Sequence, residues 1–382
     1  MASKLIDICS YAKGKTAVAG LTTQTYISTE NMLPNKGGIT TATNLPSIDQ
    51  TQAYRKNDVL VSNIRPYFKK IWHAEYDGGC SNDVLVFRAA EGVDPTFLYY
   101  VLADDTFFNY ATATSKGTKM PRGDKSAIME YCVPSLDIEA QRRIGTLLRS
   151  IDQKIAVNSK INDNLQQQAY AYFLQLFIEN ADPSWRVGTI ADLGTVVGGG
   201  TPSKAKPEYY TDEGIAWITP KDLSIDKSKF IAHGENDISE LGYRNSSATM
   251  MPAGTVLFSS RAPIGYIAIA SNEVTTNQGF KSVVPHPEIG TPFVYYFLIH
   301  NLPLIESKAS GSTFKEVSGS VMKSVEAVIP DGNTIAKFND FCRPVFEMQE
   351  KLEQQNRKLA AMRDSLLPRL LSGEIDVADI GI

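Results

Sequence analysis

The strongest constraint on how this chain can fold is an internal repeat. Segments of the first half recur in the second at a period of about 190 residues, in the same order and with little drift in offset. Leu60-Val61-Ser62 with Pro66 matches Leu257-Phe258-Ser259 with Pro263, and Ser81-Asn82-Asp83 matches Asn277-Gln278-Gly279. Phe97-Leu98-Tyr99-Tyr100-Val101-Leu102 matches Phe293-Val294-Tyr295-Tyr296-Phe297-Leu298, and Gly117-Thr118-Lys119-Met120 stands opposite Gly311-Ser312-Thr313-Phe314. Tyr26-Ile27-Ser28 matches Trp217-Ile218-Thr219, Gly14-Lys15-Thr16 matches Gly199-Gly200-Thr201, and Val133-Pro134 matches Ile329-Pro330. Each match is weak alone. Their preserved order predicts two copies of one folding unit.

Within each copy the order of elements repeats. Short β-branched or aromatic runs bounded by Gly, Pro, Asn or Asp read as strands: Asp58–Ser62, Val84–Phe87, Thr255–Ser259 and Tyr266–Ala270. Helical patches follow at Pro95–Asp104 and Pro292–His300. Each copy closes with a long helix, expected near 138–178 and 335–371. Leu147, Ile151, Lys154, Asn158, Ile161, Leu165, Gln168 and Tyr172 alternate spacings of four and three; so do Phe341, Val345, Met348, Leu352, Gln355, Leu359, Met362 and Leu366. Such a seam is the mark of a coiled coil, with polar Asn158 and Gln355 set to fix register and partner. At 1.5 Å per residue each helix is roughly 55 Å long. Two helices of matched length in one chain can pair antiparallel. Pro344 is expected to kink the second or mark its true start, and Pro368 to end or bend its last turn. The fold class expected is α+β: a first globular domain at 1–137, a helix at 138–180, a second domain at 181–334, a second helix at 335–372 and a tail at 373–382. The long helices form an antiparallel intramolecular coiled coil with pseudo-two-fold symmetry.

Composition narrows the function. Thirty-eight basic against 42 acidic residues give a formal charge of −4, which excludes a generally polycationic protein but not a local basic face. No apolar run approaches the ~18–20 residues of a membrane helix, and Met1–Asp7 has no apolar core, so no secretory signal is expected. The four cysteines are scattered, which reads as reduced thiols in a cytosolic protein. Gly14-Lys15-Thr16 has the end of a phosphate loop, but Cys9 stands where its first glycine belongs. No Asn-Pro-Pro-aromatic or Asp-Pro-Pro-aromatic tetrapeptide marks an amino-methyltransferase centre, and the four histidines lack metal-site spacing. No catalytic site, cofactor site or metal site is expected in this chain.

The loops point to DNA. Equivalent Gly-rich, hydroxyl-rich and basic segments recur in both halves. Backbone N–H groups, Ser, Thr and Lys suit phosphates; Arg, Asn and Gln suit base edges. The candidate contacts of the first half are Lys13, Lys15, Thr16, Arg65, Asn82, Lys116, Thr118, Lys119 and Arg122. Those of the second are Gly199, Thr201, Ser203, Lys204, Lys221, Ser260, Arg261, Asn277, Gln278, Ser312, Thr313 and Lys315. Ile151, Asn158, Leu165, Leu352, Gln355 and Leu359 are the candidate coiled-coil and partner positions.

These segments resemble the specificity subunits of type I restriction–modification systems. The resemblance is carried by Gly198-Gly199-Gly200-Thr201-Pro202-Ser203 after Trp185, Trp217-Ile218-Thr219-Pro220-Lys221-Asp222, Arg261-Ala262-Pro263-Ile264-Gly265, Asn277-Gln278-Gly279-Phe280, Gly311 to Glu316 and the closing Arg363 to Ile375. The first half departs from the pattern, with Lys-Gly-Lys-Thr in the glycine loop and Asp83 for the glycine after Asn-Gln. The resemblance implies that each globular domain reads one half of a bipartite DNA target in the major groove. The helices would set the unread spacer and dock two methyltransferase subunits. Restriction/translocase subunits would complete the enzyme, with S-adenosylmethionine, ATP and Mg belonging to those partners. Such a protein works in the cytoplasm, at the nucleoid. A stand-alone bipartite DNA-binding regulator and a coiled-coil adaptor are the competing readings.

Overall fold

The computed structural model describes residues 3–311 and 315–376. It divides into two compact units: unit 1 is Met1–Ala156 with Arg357–Ile382, and unit 2 is Val157–Asn356.

In unit 1 an antiparallel four-stranded sheet runs in the order Cys9–Tyr11, Val84–Ala89, Val59–Ser62, Ile71–His73. Val59–Ser62 is buried along its whole length because both faces are covered. Val59, Val61, Leu85 and Phe87 pack on Phe97, Leu98 and Val101 of the helix Pro95–Ala103. Their neighbours Leu60, Val84 and Val86 point the other way, onto Ile27, Tyr54 and Cys80 of a second four-stranded sheet. This is the period-two alternation of a strand with an apolar layer on each side.

Unit 2 repeats the plan. Its five-stranded sheet runs Gly194–Gly198, Lys281–Pro285, Val256–Ser260, Ile264–Ala270, Phe230–Ile231. Val256, Phe258 and Val283 face Phe293 and Tyr296 of the helix Thr291–His300. Leu257, Ala268 and Ala270 face Ile218 and Val274. The matched segments occupy matched places. Tyr26–Ile27 pairs in parallel with Gly79 and Cys80, as Trp217–Ile218 pairs in parallel with Thr275 and Thr276.

The long helices run Ile138–Leu174, continued by a wider turn at Gln175–Glu179, and Gly332–Leu371. Asp137 accepts from the Ala140 N–H at 2.7 Å, and Asp331 from the Thr334 N–H at 3.0 Å, supplying partners for otherwise orphaned first-turn donors. Of the two outcomes expected at Pro344, a kink or the true start of the helix, the second does not hold: the helix runs through it unbroken from Gly332. Packing on both sides of the proline holds the turn: Cys342 is fully buried and Phe346 nearly so.

Inside unit 2 the helices approach antiparallel. Asn158 Nδ2 donates to Gln355 Oε1 and Asn356 Oδ1, both at 2.9 Å, and Asn162 Nδ2 reaches the Gln349 carbonyl at 3.4 Å. Inside unit 1, Arg363 Nη1 donates to Asp152 Oδ1 at 2.6 Å, with Tyr100 Oη on the other carboxylate oxygen at 2.6 Å. The expected seam is half right. Ile151, Asn158 and Leu352 are buried, and Leu165 and Leu359 half-buried. Lys154 is exposed, however, as are Ile161, Phe341, Met348 and Met362. The buried stripe instead takes Ile144, Leu148, Ala169 and Phe173 on the first helix, and Ile335, Phe338, Cys342, Phe346, Gln349, Leu367 and Leu370 on the second. The physical reason is that each helix also serves a globular core. Phe173, Phe338 and Phe346 belong to the cluster of Phe293 and Tyr296; Ile144, Leu148, Leu367 and Leu370 belong to that of Phe97 and Leu98. A stripe shared between a helix partner and a domain is wider than a strict two-in-seven seam.

Candidate nucleic-acid interface

In unit 2, Thr201, Lys204, Lys221, Arg261, Asn277 and Gln278 line one cleft of about 690 Å³ together with Tyr210 and Trp217. Backbone geometry builds it. A Cβ on Gly199 would lie 2.1 Å from the Asn277 carbonyl oxygen, and one on Gly200 2.4 Å from the Ser247 carbonyl carbon. Only glycine permits that approach. It sets Thr201 against Gln278, whose Oε1 accepts from the Thr201 hydroxyl. Gly199 therefore shapes the cleft by packing on the protein's own backbone.

Thr219 and Asp222 form a capping box at the helix Pro220–Ile225. Asp222 accepts from the Thr219 N–H at 2.7 Å and the Glu235 N–H at 2.9 Å. The same turn exposes Lys221, whose ammonium meets Glu235 at 2.5 Å; that contact raises the lysine's pKa above its usual 10.5. Asn277 Oδ1 accepts from the Gly279 N–H at 2.8 Å, tying the side chain into its own turn.

Arg261 Nη1 lies 3.4 Å from Glu316, which also meets Lys281 at 3.4 Å. Ser203 is exposed beside Lys204 but does not line the cleft, and Lys315 is exposed next to Glu316. Ser260 departs from expectation. It is fully buried, its hydroxyl donating to the Gly279 carbonyl at 3.1 Å, so it serves the fold and presents nothing outward. Ser312 and Thr313 lie outside the described residues.

In unit 1, Lys13, Lys15 and Asn82 share a smaller cleft of about 410 Å³ with Gln50, Gln52 and Lys125. Thr16 is half-buried in its strand opposite Thr51. Lys116, Thr118, Lys119 and Arg122 stand exposed on one loop, closed where Lys116 and Arg122 exchange backbone hydrogen bonds of 2.9 Å. Lys116 holds the Asp124 carboxyl below the usual carboxylate range, and Arg122 meets Asp83 at 3.0 Å. Arg65 is half-buried and left-handed (φ 52°), its N–H bonded to the Pro121 carbonyl at 2.8 Å.

Equivalent backbone bridges occur in both units. Arg122 bridges Ile64 and Lys116; Glu316 bridges Arg261 and Ser310. The Asn63 N–H donates to the Asp83 carbonyl at 2.8 Å, and the Ser260 N–H to the Gly279 carbonyl at 2.7 Å. Ala262, which follows Arg261 as Arg65 follows Ile64, shares the φ of 52°. The sequence reading missed the carboxylates Asp83, Glu235 and Glu316 that hold the candidate cations. Each contact joins segments 14 to 55 residues apart, 221 to 235, 83 to 122 and 261 to 316, which local spacing does not signal.

The description "Type I restriction modification DNA specificity domain" belongs to the family model that matches residues 1–167 and again 183–355. The chain belongs to that family. The two matched stretches each hold one copy of the repeat. Among relatives, the type I restriction enzyme MjaIX specificity subunit of Methanocaldococcus jannaschii is 36% identical over 189 residues, which is 49% of this chain and 44% of that one. The HindI specificity subunit of Haemophilus influenzae is 24% identical, over 92% of this chain and 94% of its own length. The chain thus spans less than half of the first relative and nearly all of the second. A crystal structure of a type I restriction-modification system S subunit from M. genitalium shares the fold, with a TM-score of 0.59 at 16% identity, covering 97% of this chain and 96% of that one.

Proposed function

We propose that the chain is the non-catalytic specificity subunit of a type I restriction–modification complex, each unit reading one part of a bipartite DNA target. The observation that carries this reading is the repeated set of clefts and backbone bridges. Arg261, lysines and side-chain amides line the cleft of unit 2, lysines and side-chain amides line that of unit 1, and the segments of Arg261 and Arg122 carry equivalent backbone bridges. Arginine forks and side-chain amides are the groups that match purine edges in the major groove, while lysines and hydroxyls suit phosphates. The two long helices set the unread gap and dock two methyltransferase subunits. Restriction/translocase subunits join that assembly, and S-adenosylmethionine, ATP and Mg are theirs. The complex works in the cytoplasm. With a net charge of −4, much of the non-specific phosphate grip falls to the partners.

The test is DNA binding with and without the cognate methyltransferase subunit. The chain alone is expected to bind weakly and the complex tightly, and Arg261→Ala or Lys315→Ala should weaken the complex. Tight, salt-resistant binding by the isolated chain would favour a stand-alone regulator. No binding by an assembled complex would favour an adaptor.

A further inference from the structure

The two units carry the same backbone bridges but reversed charges on them. At the bridging position unit 1 has Arg122 and unit 2 has Glu316; across the bridge, unit 1 has Ile64 and unit 2 has Arg261. At the turn that both loops face, unit 1 has Asp83 where unit 2 has Gly279. Each reversal is compensated locally. Asp83 meets Arg122 at 3.0 Å in unit 1, and Glu316 meets Arg261 at 3.4 Å in unit 2. One guanidinium therefore stands against one carboxylate in each unit, presented from opposite sides of the same bridge.

These pairs are part-exposed, with Arg122 at 54% and Arg261 at 35% side-chain exposure. Ion pairs so placed add little to stability. Their use is orientation. A lone arginine on a loop samples many rotamers, whereas a carboxylate on one edge of the guanidinium aims its remaining N–H donors. Glu316 engages Nη1 of Arg261 and does not occupy its Nε–Nη2 edge, and Arg261 lines the same cleft as Asn277 and Gln278. Two parallel donors suit guanine, which shows N7 and O6 as paired acceptors in the major groove.

We infer that Asp83 and Glu316 are positioning residues that orient Arg122 and Arg261 to read a guanine in each half-site. The inference rests on the bipartite reading above. Because the two arginines spring from opposite sides of one bridge, the guanines fall at different places within their half-sites. The same scaffold thereby reads two different sequences.

The test uses the purified complex with its methyltransferase subunit. Methyl-transfer rates are measured on duplexes carrying the wild-type site and on a set in which each specified base pair is replaced in turn. For Asp83→Ala and Arg122→Lys, discrimination should fall roughly ten- to hundredfold at one G·C pair in one part of the site, with the other part and the gap unchanged. Glu316→Ala should do the same in the other part. Asp83→Glu should restore discrimination. A residue that merely held its loop together would lower every rate in proportion and leave the ratios alone, and that result would overturn the inference. So would a wild-type site with no G·C pair in one of its parts. Where a variant transfers no methyl groups, equilibrium competition among the same duplexes gives the same ratios. A wild-type complex that modifies no bipartite site would instead refute the underlying functional reading.

Discussion

Lys229 gives the sharpest physical prediction in unit 2. Its side chain is buried, with Nζ 2.6 Å from Gln349 Oε1, 3.3 Å from Tyr296 Oη and 4.1 Å from the centre of the Phe346 ring. Its backbone N–H donates to Glu353 at 2.9 Å. Burial pushes the amine's pKa from its ordinary 10.5 down to about 7, against the opposing pull of Glu353. Because the folded value is depressed, the unfolded chain holds one more proton between pH 7 and 10.5. The contribution of Lys229 to stability must therefore rise with pH across that window, by about 1.4 kcal/mol per pH unit at most. Lys229→Met keeps the apolar stem and removes the proton equilibrium. It also leaves Gln349 Oε1 without its donor, a pH-independent cost of ~1–3 kcal/mol. The wild type should thus gain about 2–3 kcal/mol on the variant between pH 7.5 and 9.5. Cys342 nearby is held up at about 12 by burial, so its thiol stays protonated in the folded chain across that range, and its titration in the unfolded chain is common to wild type and variant and drops out of the difference. Urea unfolding in a Trp72→Phe background would report on unit 2 through Trp185 and Trp217. A difference that stays flat with pH would refute the reasoning, because it would mean that the aromatic rings and Gln349 hold the ammonium charged at every pH.

Two further substitutions test the fold and the cleft. Asn158 is fully buried, and its Oδ1 has no partner among the described residues. Asn158→Leu should raise the melting temperature, by about 1 kcal/mol of stability, because an unsatisfied buried acceptor is removed; a drop on thermal melting would show the amide contacts to be net favourable. Gly199→Ala should force the Asn277 turn aside, destabilise unit 2 by about 1–3 kcal/mol and weaken DNA binding by the complex. Gly198→Ala is the control, since its added Cβ meets nothing within 4 Å; equal effects of the two would remove the close-approach argument.

Much of the fold was legible because the repeat carries it. The pairing of Tyr26–Ile27 with Trp217–Ile218, and of the 117 loop with the 311 loop, survives as equivalent backbone bridges. The strands at Val59–Ser62 and Val256–Ser260 lie within a residue of expectation. The helix seam was only half legible. Heptad counting assumes that a helix has one partner, and Phe338, Cys342 and Phe346 answer to a domain core as well. The interface was legible in residue type but not in arrangement. Ser260 lies in a hydroxyl-rich loop yet turns inward to the Gly279 carbonyl. Gly199 invites a phosphate in sequence but accommodates the protein's own carbonyl in space. Both depend on contacts between segments far apart in the chain, which local spacing does not carry. Lys229 is the extreme case: a lysine between Ser228 and Phe230 reads as surface, and only the packing of Tyr295, Tyr296 and Phe346 around it makes it a core residue.

The central claim is that one chain carries two independent DNA readings separated by a fixed gap. Its most direct test is a methylome. The chain is co-expressed with its cognate methyltransferase subunit in a methylation-free host, and N6-methyladenine is mapped by long-read sequencing. The account predicts a single motif with two short specified parts around an unspecified gap of constant length. It also predicts that exchanging residues 181–334 for the corresponding domain of a relative changes one part only. A continuous motif, or one in which that exchange alters both parts, would contradict it.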